Sequence, residues 1–281
     1  MIVHLIDGTY ELFRHFYGLR RFNKGKDKPL GATVGLLNGI LQMIEDGATH
    51  LGVATDHVIE SFRNKLWPDY KTGEGIEPAL LAQFHPLEEA LALMGVVVWP
   101  MTDLEADDAL ASAAHKAAAD PEVDKVCIWT PDKDLAQCVT EDRVVQMIRR
   151  PEEIRDEKAV LKKFGVHPKL IPDFLALVGD SADGYPGISG IGKFSAMRLL
   201  NQYGPIEAFP KNVLEGHYKQ ALLFKRLATL RTDAKLFKNV NQLKWAGPTP
   251  GFDKFTAKAV EPRLLARAKF VAAKILITER S

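Results

Sequence analysis

Acidic residues in this sequence recur at one kind of place, the end of a short apolar run. Leu104-Glu105-Ala106-Asp107-Asp108 puts three acids within four positions, just ahead of an alanine-rich stretch. No neighbouring residue neutralises them, so they stay ionised and ordered only around a cation or in full contact with water. An acidic first turn of a helix, stabilised by the helix dipole by about 0.3–1 kcal/mol, would look the same in isolation. Repetition separates the two readings. Asp7 closes residues 2–6, Asp56 closes 51–55, and Asp132 and Asp134 follow 126–130. Asp180 and Asp183, three apart, end a later helical run. An oxygen-only set of this kind suits a hard divalent ion that keeps several waters, and the eight histidines show no zinc-ligand spacing.

The elements that must present these acids follow from hydrophobic periodicity. Residues 2–6, 51–55, 96–99, 126–130 and 144–148 are short, β-branched apolar runs, which predict strands. Residues 33–46, 79–94 and 106–119 predict intervening helices, the second interrupted at Pro86. Strands alternating with helices give a mainly parallel sheet with right-handed crossovers, and ligands of such sheets bind beyond the carboxyl ends of the strands. Asp7, Asp56, Glu105, Asp107, Asp108, Asp132 and Asp134 would then meet on one rim.

Two connections stand apart from this pattern. Residues 57–78, with Arg63, Lys65, Tyr70 and Lys71, form a polar segment longer than most loops between packed elements, and such insertions are usually functional or mobile. Residues 20–28 are strongly basic, a solvated surface or a brush against a phosphate backbone. After residue 150 helical runs take over. There Gly187-Ile188-Ser189-Gly190-Ile191-Gly192-Lys193 opens a helix at residues 194–200. A glycine-rich hairpin in that place lets backbone N–H groups approach a phosphate, although a plain helix–turn–helix corner uses the same residues.

Composition narrows the classes. With 281 residues, 46% hydrophobic and 26% charged, the chain is long enough for a large core and too apolar for disorder. Its 37 basic residues against 36 acidic ones mean that any nucleic-acid affinity must come from segregated charge. Two cysteines read as buried thiols in a reducing compartment, and neither a signal peptide nor a membrane-length apolar run is present, so the cytoplasm is expected.

Four blocks, in this order and spacing, resemble the 5′-nuclease family, the flap endonucleases and 5′→3′ exonucleases that include the N-terminal domain of bacterial DNA polymerase I. They are Leu5-Ile6-Asp7-Gly8 with Arg14, Glu105-Ala106-Asp107-Asp108, Thr130-Pro131-Asp132-Lys133-Asp134-Leu135, and Gly179-Asp180-Ser181-Ala182-Asp183 running into the hairpin. The resemblance spans almost the whole chain and implies a free-standing 5′ nuclease. It implies a PIN-like α/β core, residues 1–170, with an arch or clamp near residues 57–90. A helical lobe, residues 171–281, would carry a helix–three-turn–helix DNA grip, with the tail packing back on the core.

The same resemblance implies roles. Asp7, Asp56, Glu105, Asp107 and Asp108 would surround one divalent ion, and Asp132, Asp134, Asp180 and Asp183 a second, Mg²⁺ or Mn²⁺ in both. Lys71 at the arch base and Arg14 on the first helix would offset charge on the scissile phosphate. Gly187, Gly190, Gly192 and Lys193 would hold the duplex, with potassium on the hairpin carbonyls. The implied partner of a monomeric enzyme, with no membrane involved, is DNA with a 5′ flap, nick or 5′ end. Glu74 stands where the family often has arginine, Thr55-Asp56-His57 replaces a Phe-Asp-Ala type, and Gly184 replaces a frequent asparagine. No carboxylate is lost, which predicts an active enzyme. The rivals are an RNA-directed PIN-like nuclease, a non-catalytic DNA junction binder, and an aspartyl phosphotransferase, whose second acid two residues after Asp7 is here Thr9.

Overall fold

The computed structural model describes residues 1–23, 28–149, 151–259 and 261–278, so the middle of the basic stretch at 20–28 lies outside the described residues. β1 (Ile2–Asp7) leads into α1 (Gly8–Asn23) and α2 (Gly31–Glu45), and β2 (His50–Asp56) into α3 (Phe62–Leu66), α4 (Pro78–Leu81) and α5 (Phe84–Leu93). β3 (Val97–Met101) precedes α6 (Ala106–Ala118), and β4 (Lys125–Trp129) precedes a 3₁₀ turn (Asp134–Cys138), β5 (Val144–Arg149) and β6 (Glu152–Arg155). The strands form one sheet in the order β3-β2-β1-β4-β5-β6. All neighbours are parallel except β5 and β6.

Two elements differ from the sequence expectation. The helix expected over 79–94 breaks between Leu81 and Phe84, ahead of Pro86, which sits in the first turn of α5 where a missing N–H costs little. β6 was not expected because Glu152-Glu153-Ile154-Arg155 is polar; as an edge strand it buries only Arg155, whose guanidinium donates to Gln146 Oε1 at 3.1 Å.

Beyond the sheet come α7 (Glu157–Phe164), α8 (Ile171–Val178), α9 (Lys193–Tyr203), α10 (Tyr218–Ala228), α11 (Phe252–Lys258) and α12 (Pro262–Thr278). They share three cores. Leu36, Leu37, Ile40, Leu87 and Leu91 cover one face of the sheet, and Phe252, Leu264, Ala268 and Val271 of α11 and α12 pack into that same cluster. The other face meets α6 through Ala109, Leu110, Ala113 and Ala117 against Leu5, Val126 and Ile128. Alanines let a helix lie near a sheet without losing helical propensity. That places the start of α6 at the carboxyl ends of the strands. A third core joins Phe174, Leu177, Leu200 and Phe224 of the helical lobe to Tyr70 of the 57–78 connection.

Gly184 fastens that connection to the lobe. Its φ is +80°, and a Cβ there would sit 2.0 Å from Asp69 O, while its own carbonyl accepts from Trp67 Nε1 at 3.0 Å. One residue earlier, Asp183 O accepts from Lys71 N at 3.1 Å. Asparagine tolerates positive φ but brings a Cβ, so at this site the chain requires glycine. Gly184→Ala should lose about 2–3 kcal/mol in urea unfolding, from overpacking plus left-handed strain. Gly75→Ala, with φ +84° and nothing within 4 Å of the added atom, should lose only the strain contribution.

Candidate metal centre

Asp7 and Asp56 end adjacent parallel strands. The Oδ1 of Asp7 accepts from Tyr10 N at 2.8 Å and its Oδ2 from Thr130 Oγ1 at 2.9 Å. Asp56 Oδ1 accepts from Ala106 N, the first N–H of α6, at 2.8 Å, and Asp56 N donates to Thr9 Oγ1 at 2.8 Å. Each aspartate is thus aimed by backbone groups just past a strand end. Asp107 lies in the first turn of α6, half-buried, facing the charges of Asp132, Asp7 and Asp56. On the far side, one oxygen from each of Asp134, Asp180 and Asp183 lies within 4.8 Å of the other two. Asp180 and Asp183 sit in the turn after α8, closed by paired hydrogen bonds between Asp180 and Tyr185.

Asp7, Asp56, Asp107, Asp134 and Asp183 are poor anions as they stand. Burial, then the Asp56 and Asp132 charges, push Asp7 up to about 7, against the hydrogen bond from Tyr10. Burial and Asp180 raise Asp183 to about 6 in spite of Lys71. Asp107 and Asp134 are also raised well above the usual carboxylate value, by burial and by the Asp132 charge. Asp134 Oδ1 is buried with no hydrogen-bond partner, the kind of orphaned acceptor that a bound cation satisfies. The oxygen-only donor set fits a hard divalent ion.

Lysines already reach into the cluster. Lys71 Nζ is 2.6 Å from Glu105 Oε2 and 3.8 Å from Asp183 Oδ1, between the two groups of acids. Burial would lower its pKa, but Glu105 and Asp183 outweigh it and hold it protonated. Lys133 Nζ lies 2.5 Å from Asp180 Oδ2. Glu105 caps α6; burial would raise its pKa, yet Lys71 and Arg63 bring it below the usual carboxylate value.

Several expectations need correction. Asp108 is fully buried and its oxygens are committed: Oδ1 to Arg63 (2.8 Å) and Arg231 N (2.9 Å), Oδ2 to Arg63 (2.7 Å) and Glu105 N (3.0 Å). It belongs to the frame of the site, not to its lining. Asp132, placed by the sequence with the second group, is exposed and acts on Asp7 and Asp107 as well as on Asp134. Gly187 is buried, and a Cβ there would meet Gly179 N at 2.4 Å, so it serves a close backbone approach, while Gly190, Gly192 and Lys193 are exposed. Arg14 is paired with Glu11 and is not free at the rim; Arg149 approaches the other Glu11 oxygen at 3.2 Å. His57 pairs with Glu88 at 2.7 Å and stacks on His85, a structural role.

Sequence reasoning missed Arg63. Read as part of a polar loop, it is 1% exposed. Besides Asp108 it donates to Glu105 Oε1 at 3.1 Å, Leu227 O at 2.7 Å and Thr229 O at 3.2 Å. Its only local signal was an arginine amid aromatic and apolar residues, Phe62-Arg63-Asn64-Lys65-Leu66-Trp67.

The sequence profile described as 5′-3′ exonuclease, N-terminal resolvase-like domain, matches residues 2–165, and that described as 5′-3′ exonuclease, C-terminal SAM fold, matches residues 166–251. A 5′-3′ exonuclease of Aquifex aeolicus is 35% identical over 212 residues, 75% of this chain and 72% of that protein. The DNA polymerase I of Pseudomonas aeruginosa is 32% identical over 85% of this chain, which corresponds to 28% of the polymerase. Among solved structures, T5 5′-exonuclease with bound zinc aligns with a TM-score of 0.66 at 18% identity, over 96% of this chain and 98% of its own. Flap endonuclease-1 of Methanococcus jannaschii aligns at 0.64 and 17% identity, over 100% and 93%. At these identities the structural likeness bears on the fold: a mostly parallel PIN-like sheet with a helical lobe.

Two outcomes follow from the charges. A carboxyl whose folded pKa is raised binds a proton in the folded state that the unfolded chain has already released, so its stabilisation is present at low pH and lost as pH rises through the folded value. With Asp7 near 7 and Asp183 near 6 against an unfolded value near 3.8, the metal-free protein should lose thermal stability between about pH 4 and pH 7, and added Mg²⁺ or Mn²⁺ should reduce that loss. A flat melting profile in EDTA would contradict the charge crowding. Arg63→Met leaves Asp108 as an uncompensated buried charge and should cost about 3–5 kcal/mol, with the Arg63→Met/Asp108→Leu double variant losing less than the sum of the single changes. Strict additivity in urea unfolding would show that the pair does not act as a unit.

Proposed function

The chain belongs to the 5′-3′ exonuclease family, and from that membership we propose that it hydrolyses DNA phosphodiesters at 5′ ends and 5′ flaps at the acidic rim. The observation that carries the proposal is the convergence of Asp7, Asp56, Asp107, Asp132, Asp134, Asp180 and Asp183 from separate strand ends and turns, held together against their repulsion. Asp7, Asp56 and Asp107, with Glu105 beside them, would hold one ion; Asp134, Asp180 and Asp183 would hold another, with Asp132 between the two. Divalent ions held there, Mg²⁺ or Mn²⁺, would supply Lewis acidity to water and to the leaving 3′-oxygen near neutral pH.

The chain's own groups do the rest. Lys71, kept protonated by Glu105 and Asp183, lies where an incoming phosphate would exchange carboxylate partners for phosphoryl oxygens, and its charge grows in value as negative charge develops on the scissile group. The exposed Gly190, Gly192 and Lys193 would take the phosphates of the duplex behind the cleavage point, with potassium on the hairpin carbonyls. Such contacts position DNA without reading bases, so selection rests on the presence of a free 5′ strand beside a duplex. Residues 57–90 would form the arch over that strand, on a core of residues 1–170, with residues 171–281 as the DNA-holding lobe. No helix among the described residues is long and apolar enough to cross a membrane, and the enzyme would act as a monomer in the cytoplasm.

A junction binder without chemistry would have no use for carboxyls kept at such electrostatic cost. An RNA-directed nuclease would cut a matched RNA flap faster than the DNA one. Asp107→Asn and Asp134→Asn should each slow cleavage of a 5′-flap DNA in Mg²⁺ by at least about 10²-fold, with flap binding in Ca²⁺ nearly unchanged. Wild-type turnover in either variant, or in EDTA, would refute the assignment.

A further inference from the structure

Phe194 is 85% exposed, in the first turn of α9 immediately after Lys193. Scattered exposed apolar residues are ordinary, but this one has particular neighbours. Gly190, Gly192 and Lys193 before it are all exposed, and the turn that carries Asp180 and Asp183 of the acidic cluster leads directly into their hairpin. Four residues on, Arg198 is also exposed and shares the helix face of Phe194, while Ala196 and Leu200 turn the opposite face into the lobe. An aromatic ring thus stands in water between two unburied cations, on the surface proposed above to hold duplex phosphates.

We propose that Phe194 is a substrate-contacting residue that packs on the deoxyribose faces of the duplex behind the cleavage point, a non-ionic contact set among ionic ones. The inference rests on the reading of the hairpin as the duplex grip. Sugar rings between phosphates present C–H surface that an aromatic side chain can cover without displacing counterions. Lys193 on a phosphate releases a condensed counterion, so its contribution fades as salt rises. Burying the Phe194 ring against sugars is a hydrophobic gain that salt does not screen. The two contacts therefore differ in a measurable way. A sugar-directed ring is also indifferent to sequence, and it needs the regular backbone of a duplex, which a flexible single strand does not offer.

The test is fluorescence anisotropy of a 5′-flap duplex and of a single strand of equal length, in Ca²⁺, across a salt series, for wild type, Phe194→Ala, Phe194→Trp and Lys193→Ala. Phe194→Ala should weaken duplex binding about tenfold, equivalent to about 1.4 kcal/mol, at every salt concentration, with the slope of log Kd against log salt unchanged. Phe194→Trp should retain wild-type affinity, and single-strand binding should not change. Lys193→Ala should instead reduce the salt slope by about one. Unaltered duplex affinity in Phe194→Ala, an altered slope, or an equal loss on single strands overturns the proposal. If Lys193→Ala still shifts the slope in that event, the duplex grip stands and only the role of Phe194 fails; if neither variant changes duplex binding, the hairpin reading fails with it. Because Phe194 is exposed, unchanged circular dichroism of the variants is expected to accompany each result.

Discussion

Repulsion between carboxylates confined to one edge of the sheet is the constraint around which this molecule is arranged. Two unit charges about 4 Å apart in a medium of effective dielectric about 20 repel by about 4 kcal/mol, and the Asp134–Asp180–Asp183 group holds three such pairs within 4.8 Å. No single domain can ignore that cost when its net stability is about 5–15 kcal/mol. The chain offsets it in two ways. Lys71 and Lys133 reach into the cluster, and several carboxyls rise toward neutrality until a cation replaces the proton. A divalent ion bound there would relieve a strain that folding imposes, which is the energetic case for the proposed metal site.

Asp108 shows the opposite use of the same residue type. It lies one position from Asp107, but the helix turns it about 100° away, into the interface between α6 and the helical lobe. There Arg63 meets both of its oxygens while also reaching Leu227 O and Thr229 O at the end of α10, and Arg231 N caps Asp108 from the same segment. One buried guanidinium thus joins the 57–78 connection, the start of α6 and the exit of α10. Breaking such a pair from one side is costly, so the three segments hold a fixed relation. The hairpin that follows α8 cannot drift relative to Asp107 without disturbing this knot, since α8 and α10 share a core with Tyr70. If the hairpin holds phosphates as proposed, a rigid offset between it and the row of carboxyls would let the enzyme cut at a set distance from a structural feature, and not at a sequence.

The rim was legible in the sequence because strands advertise themselves. A β-branched run closed by an acid is a local pattern, and parallel pairing then puts all such ends on one side; Asp7, Asp56 and Asp134 follow from that argument alone. What escaped was set by partners distant in the chain. Nothing within a turn of Arg63 reveals that Asp108 and the carbonyls at 227 and 229 surround it, and a guanidinium inside a loop-like stretch reads as solvated. Asp107 and Asp108 look equivalent in a row of letters and differ only by which way the helix turns them. Gly187 and Gly190 carry the same φ preference, +74° and +79°, yet one faces backbone and the other water. β6 was invisible because an edge strand with one buried residue has no hydrophobic alternation to detect.

Near-neutral overall charge does not weigh against a polyanionic substrate, because the cations divide into two populations. Arg63, Lys71, Lys133 and Lys225 are consumed by internal carboxylates; Lys225, for one, lies 2.8 Å from Asp173 and 2.6 Å from Glu207. Lys162, Lys163, Lys169, Lys193 and Arg198 remain exposed along α7, the turn before α8, and α9. Asn201 ties α9 to the end of α7 by donating to Gly165 O at 2.8 Å, and Lys163 is near enough to Lys133 and Asp132 for their charges to act on it. Basic side chains of α7 thus lie within electrostatic reach of the acidic rim at Asp132. On the proposed reading, a phosphate backbone attracted by these cations would meet the acidic rim only with a metal ion between the two charges, so attraction and repulsion together would select where the strand is cut.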